Sequence, residues 1–275
     1  MPITDLVRYF NAADQAGGSL LRLESGRAAA RHHDLRLTSL FAPIVDVRSE
    51  RIVGHQASLQ VWRADGSPAF TVDAFSGCET NAAVVHLDRL CRTLHALNFL
   101  SQHGQTGGYL QVRVNARHVA AVPNQHGLVY EAILKRCGLA PEDIVLELAA
   151  NDAASLLQLA PALESYQRRG YRLAFADVAD AAALQQLLPL GPACIKFSHD
   201  APAALIEQAH AAGVASQSDG IDSGAAYLAA RARGLDLASG SLFGEPQPDC
   251  HATHRPAAVA YNVSSPLESS HENRQ

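Results

Sequence analysis

The chain has 275 residues, 48% of them hydrophobic and 18% charged, with a formal net charge of -5. That supplies apolar material for a sizeable core and lacks the basic excess of nucleic-acid binders, so no direct nucleic-acid partner is expected. No apolar run approaches the roughly 20 residues of a bilayer span, so no membrane partner is expected either.

MPITDLVRYF carries neither a basic leader nor a long apolar stretch, which argues against a signal peptide. The five cysteines are scattered, with no CxxC pair. Reduced thiols in a cytoplasm are the natural reading.

Thr4-Asp5 can cap a short helix through Ala16, and Gly17-Gly18 would end it. Residues 1–36 therefore read as an N-terminal helical appendage. Leu37–Val47 and Ile52–Trp62 read as strands joined only by Arg48-Ser49-Glu50-Arg51. That link is too short for a parallel crossover, so the pair should be antiparallel. His86–Leu100 then carries Leu87, Leu90, Leu94 and Leu97 at helical spacing.

From there strands and helices alternate. The strands are Tyr109–Asn115, Ile144–Leu148, Arg172–Val178, Ala193–Phe197, Val214–Asp219 and Leu237–Leu242. The helices are Leu128–Cys137, Leu156–Arg169, Ala181–Leu188, Ala203–Ala212 and Gly224–Arg233. Gly170, Gly213 and Gly234 follow helical stretches, where a left-handed residue is expected.

The fold class is α/β. Eight strands in this alternation indicate a modified TIM-like (β/α)8 barrel with one antiparallel strand, spanning residues 37–250. An open doubly wound sheet is the alternative. Residues 251–275, rich in Ser, Asn, His and Pro, read as a disordered tail.

In such barrels functional side chains gather at the C-terminal strand ends. Reading those ends gives Gln56, Asn115, Glu147, Asp177, Lys196, Asp219 and Ser239. Other features carry less. His251 and His254 lack a third ligand, His32-His33 read as solvated, and Gly107-Gly108 continues into no phosphate-loop pattern. Ser76 and Cys78 have no base that sequence can place beside them.

The ordered motifs resemble those of the EAL domain family, bacterial phosphodiesterases that linearise cyclic di-GMP. FAPIVDVRSERIVGHQA resembles the opening "QPIVD…GxEAL", and VRVNARHV the "NxS" strand. GLAPEDIVLELAAND resembles "GLxPxxLxLEITE", YRLAFADVAD the "DDFG" strand, and LLPLGPACIKFSHD "LPxDxIKID". AGVASQSDGID resembles "AEGVE", and LASGSLFGEPQP "QGYxFGxPxP". The resemblance runs from Leu37 to Pro248 and implies the same barrel with its reversed strand.

The resemblance also implies departures from the active pattern. Active members use two Mg²⁺ or Mn²⁺ ions, which want carboxylate oxygens. The EAL glutamate falls on Gln56, and the first DDFG aspartate, which bridges both metals, falls on Ala176. Asn115, Glu147, Asp177 and Lys196 are retained, Asp219 stands for the catalytic glutamate, and Ser198 replaces the IKID aspartate. On the ligand side, Gln60 stands for a phosphate-pairing arginine, Ala42 for a guanine-holding glutamine, and Ser239-Gly240 for QG.

With Gln56 and Ala176 as lost metal ligands, the expectation is a catalytically inactive EAL-like regulator, with no catalytic residue and no metal. It would act on an unidentified regulatory protein in bacterial signalling. Cyclic di-GMP binding is put in doubt along with hydrolysis. The alternatives are a non-hydrolysing cyclic di-GMP receptor, and a residual phosphodiesterase with one metal held by Asn115, Glu147, Asp177 and Gln56. The remnant pocket comprises Gln56, Gln60, Asn115, Glu147, Asp177, Lys196, Asp219 and Ser239. Val178–Ala183 and Asp65–Ala82 are the candidate partner surfaces.

Overall fold

The computed structural model describes residues 2–13, 20–122, 128–151 and 153–252. The elements begin with α1 (Ile3–Ala13), β1 (Leu20–Glu24), β2 (Arg27–His32), β3 (Leu35–Asp46) and β4 (Arg51–Trp62). There follow β5 (Pro68–Ala69), α2 (Thr71–Ser76), α3 (Asn81–Thr106), β6 (Tyr109–Arg113), α4 (Ala116–Ala121) and α5 (Leu128–Cys137). The middle of the chain forms β7 (Ile144–Ala149), α6 (Ala153–Gln158), α7 (Ala160–Gln167), β8 (Arg172–Val178) and α8 (Ala181–Leu187). The last elements are β9 (Cys194–Phe197), α9 (Ala203–Ala211), β10 (Ala215–Ser218), α10 (Gly224–Ala232) and β11 (Leu237–Ala238).

Strands β4, β6, β7, β8, β9, β10 and β11 pair in parallel succession. β3 closes the circuit, antiparallel to both β4 and β11. This is the expected barrel with one reversed strand. The cause is local: between β3 and β4 the chain turns at once, with Asp46 Oδ1 accepting the Ser49 amide at 2.6 Å and Glu50 at φ 55°. A hairpin, not a crossover helix, joins these two strands. Gly170, Gly213 and Gly234 take positive φ just past α7, α9 and α10, as their spacing implies.

Residues 2–36 differ from the purely helical reading. After α1 the chain forms a second hairpin, β1–β2, whose turn residues Ser25 and Gly26 both have positive φ, 50° and 81°. Such turns match the twist of paired strands. β2 then adds to the start of β3, with Ala30 opposite Leu37. The α1 residues Leu6, Val7 and Phe10 join Leu21, Ala28, Leu37, Leu87 and Leu94 in a core of their own beside the barrel. Asn11 fastens α1 to β1, since its side-chain amide donates to Leu21 O at 2.8 Å and accepts from Leu21 N at 2.9 Å.

Two smaller expectations also change. The helix read as Leu156–Arg169 is two helices, because Pro161 lies in the first turn of α7 and cannot continue the α6 ladder. His32 is buried rather than solvated, and burial beside His33 and His86 pushes its imidazole down to about 4. Gly17-Gly18, His254 and residues 253–275 lie outside the described residues. No helix among the described residues is long and apolar enough to cross a membrane.

Candidate functional site

Period-two alternation on the barrel strands decides what points inward. On β6, Gln111 and Arg113 share one face while Leu110, Val112 and Val114 are buried on the other. The strand register sets Gln56 beside Gln111, and Arg113 beside Glu147. Glu147 is 1% exposed and sits at the centre of a polar layer.

Both oxygens of Glu147 are engaged. Its Oε2 accepts from Lys196 Nζ at 2.7 Å and from Gln111 Nε2 at 2.7 Å. Its Oε1 accepts from Arg113 Nε at 3.1 Å and Nη2 at 2.9 Å. Burial works against the charge on this carboxylate, but Lys196 and Arg113 outweigh it and hold the group below its ordinary range. Lys196 is treated likewise: burial opposes its charge, yet Glu147 and Asp219 raise its pKa.

Lys196 connects the layer outward. Its Nζ lies 2.7 Å from Asp219 Oδ2 and donates to Gln56 Oε1 at 3.2 Å. Asp219 also accepts from Ser239 Oγ at 2.6 Å. Ser239 is fixed by its amide on Ser218 O, and Gly240 follows where a Cβ would lie 2.4 Å from Ile221 O. Gln56, Glu147, Lys196, Asp219 and Ser239 thus form one connected group.

The remaining candidates are placed differently. Asn115 caps α4, its Oδ1 accepting from the Arg117 main-chain N–H at 2.9 Å while its own main-chain N–H donates to Asp88 Oδ1 at 2.8 Å. Asp177 is exposed at φ 63°, where the β8–β9 register breaks. Ala176 is 2% exposed and offers only a methyl. Gln60 accepts from Thr38 Oγ1 at 3.0 Å and lines a separate hollow with Arg27, Arg36 and Asn98. The pocket expected to hold both glutamines therefore holds only Gln56. Ser198 donates to Asp200 Oδ1 at 2.6 Å.

The barrel mouth carries two hollows that share Gln56 and Ser58. One, of about 400 Å³, lies between β4, α2 and α3 and reaches Arg113, Asn115 and Glu147. The other, of about 350 Å³, is lined by Ala42, Asp219, Asp222, Ser239, Gly240 and Glu245 among others.

Sequence reading overlooked Gln111 and Arg113, although their alternation toward Asn115 marks them as one inward face. It also overlooked Asp88 on α3. Asp88 Oδ2 pairs with Arg92 Nη2 at 2.8 Å and His118 Nδ1 at 2.8 Å, all three nearly inaccessible. This cluster holds the backbone of Asn115 from behind.

The EAL domain family model matches residues 27–246. No curated protein sequence matches the chain. Among solved structures, the cAMP-bound EAL enzyme Bd1971 is 16% identical with a TM-score of 0.66, covering 90% of this chain and 68% of that one. A calcium and cyclic di-GMP complex of Klebsiella pneumoniae BlrP1 is 15% identical with a TM-score of 0.66 and 79% of this chain covered; the chain spans 57% of that protein. A standalone versatile EAL protein from Vibrio cholerae O395, bound to cyclic di-GMP, is 19% identical with a TM-score of 0.64, covering 80% and 96%. Identities this low speak to the fold, and the match to the family model, which takes in most of the barrel, speaks to descent: the chain belongs to the EAL domain family.

Proposed function

We propose that this EAL domain is catalytically silent and acts by binding a regulatory protein. The observation that carries the reading is the state of Glu147. Its two oxygens already serve Arg113, Lys196 and Gln111. Two divalent ions a few ångströms apart repel strongly and need several anionic oxygens between them. Here the position expected to bridge them is the methyl of Ala176, Gln56 is neutral, and Asn115 Oδ1 is committed to its helix cap. Among the described residues no group of three or more His, Cys, Asp or Glu side chains is placed to hold a metal. The donor set does not fit a two-metal centre.

The charge balance also disfavours a dianionic dinucleotide. Arg113 and Lys196 are spent on Glu147 and Asp219, while Asp177, Asp222 and Glu245 add negative charge at the mouth. In this reading the chain works in the cytoplasm of a bacterial cell, without Mg²⁺ or Mn²⁺ and without a membrane or nucleic-acid partner.

Calorimetry with cyclic di-GMP, with and without Mn²⁺, tests the reading. No heat of binding and no linear dinucleotide are expected. Micromolar affinity without turnover would replace it by a receptor. Linear product that disappears in Glu147→Ala would replace it by an enzyme.

A further inference from the structure

The two most exposed large apolar side chains among the described residues are close neighbours. Phe70 is 78% exposed and Val72 68%, both at the start of α2. Val72, Thr71 and Phe75 wall the 400 Å³ hollow on one side, and Ala57, Leu59 and Cys91 also line it. Phe70 is not part of that wall. A small molecule confined to the hollow would leave Phe70 in water. An occupant that covers both must run out of the hollow and across α2. Exposed apolar patches of this kind mark binding surfaces, and interface hot spots are large side chains seated in pockets.

The charges around the mouth narrow the occupant. Among the described residues three basic groups there are ion-paired, Arg63 with Asp73, Arg113 with Glu147, and Lys196 with Glu147 and Asp219, while Arg117 bonds only the neutral amide of Asn81 and keeps its charge. The acidic groups are in surplus. Asp177, Asp222 and Glu245 are exposed and have no ion pair among the described residues. The Asp177 carboxylate acts electrostatically on Arg113, which lines the first hollow, and Asp222 and Glu245 line the second, which shares Gln56 and Ser58 with the first.

We propose that the Phe70–Val72 rim and the hollow beneath it dock a basic segment of a protein partner carrying one large apolar anchor. The anchor enters against Val72 and Phe75, Phe70 covers it from outside, and Lys or Arg side chains flanking it face Asp177, Asp222 and Glu245. Acidic segments are repelled, as is nucleic acid. This surface rests on the reading of the chain as a protein-binding module, and it names the kind of partner that module takes.

The test is a random peptide library displayed on phage and panned against the full chain. Enriched sequences should share a large apolar residue flanked by Lys or Arg. Synthetic peptides made from them should lose at least about 10-fold in affinity against Phe70→Ser with Val72→Ser. Asp177→Asn with Glu245→Gln should cost about 3-fold, and that loss should shrink as salt is raised. Both variants are on the surface, so an unchanged melting temperature identifies a folded protein. No consensus, an acidic consensus, or binding indifferent to the Phe70/Val72 variant overturns the surface. A consensus that maps elsewhere removes this surface but leaves the module, whereas linear dinucleotide formed from cyclic di-GMP removes the module itself.

Discussion

Glu147 and Asp88 are both buried carboxylates paired with a buried cation, and they teach different things. Asp88 draws Arg92 from one turn along the same helix and His118 from α4, with side-chain exposures of 3%, 2% and 3%. Glu147 draws its partners from separate strands, and two members of its network reach water: Arg113 is 62% exposed and Asp219 47%. The first cluster is closed and local, and it fixes the backbone at Asn115. The second is open on one side, at the end of the barrel where family members do chemistry. A closed cluster tolerates no lost partner, while an open one lets water or another side chain take over.

That contrast predicts a hierarchy. Asp88→Ala leaves Arg92 charged, buried and unpaired, and removes the acceptor for the Asn115 amide. It should destabilise the fold by about 3–5 kcal/mol in urea titration. Glu147→Gln should cost less, about 2 kcal/mol, because Lys196 keeps Asp219 and Arg113 turns to water. Equal losses from the two substitutions would erase the distinction between the clusters.

Acid should act on the buried histidines before it acts on Glu147. Burial lowers His95, which meets Ser39 Oγ at 2.8 Å, to about 4, and burial shifts His118 the same way. The unfolded chain therefore binds protons that the folded chain refuses. Stability is full above about pH 6.5 and falls as pH drops toward 4, by about 1.4 kcal/mol per unit for a histidine of this kind. The Glu147 carboxylate, whose pKa is also depressed, adds its loss only at lower pH. Melting temperature recorded from pH 7 to pH 5 should fall steadily, and His95→Asn should flatten that slope.

The smallest effect is the most diagnostic of the open cluster. Gln56→Glu with Ala176→Asp adds two carboxylates beside Glu147 and Asp219. Metal-free stability should fall by about 1 kcal/mol through like-charge repulsion, and Mn²⁺ should restore it. An unchanged melting temperature with no manganese uptake would show that the mouth no longer responds to charge.

The barrel was legible because its strands are short apolar runs separated by helices with leucine spacing, and because Arg48–Arg51 leaves no room for a crossover. The start of α8 at Ala181 was legible too: alanines there favour helix, and Asp180 caps it by accepting the Ala183 amide at 2.8 Å. The β1–β2 hairpin was not, since Arg27–His32 is built on alanines with little strand preference. In the site, residues that match family motifs could be found one by one. Arg113 could not, because its meaning depends on the neighbour that the β6–β7 register gives it. Asp88 was hidden for a related reason: on a helix read by its leucines, a charged residue passes for solvent-facing until tertiary packing encloses it.

Asn11 has a consequence for anyone cutting this chain down to its family core. By pairing with both main-chain groups of Leu21, its amide stands in for an extra strand along the outer margin of β1. A truncation that drops α1 but keeps the hairpin would bare that margin together with the apolar patch that Leu6, Val7 and Phe10 cover. Bare ladder edges recruit other chains, so the shortened protein should self-associate more strongly than the longer one.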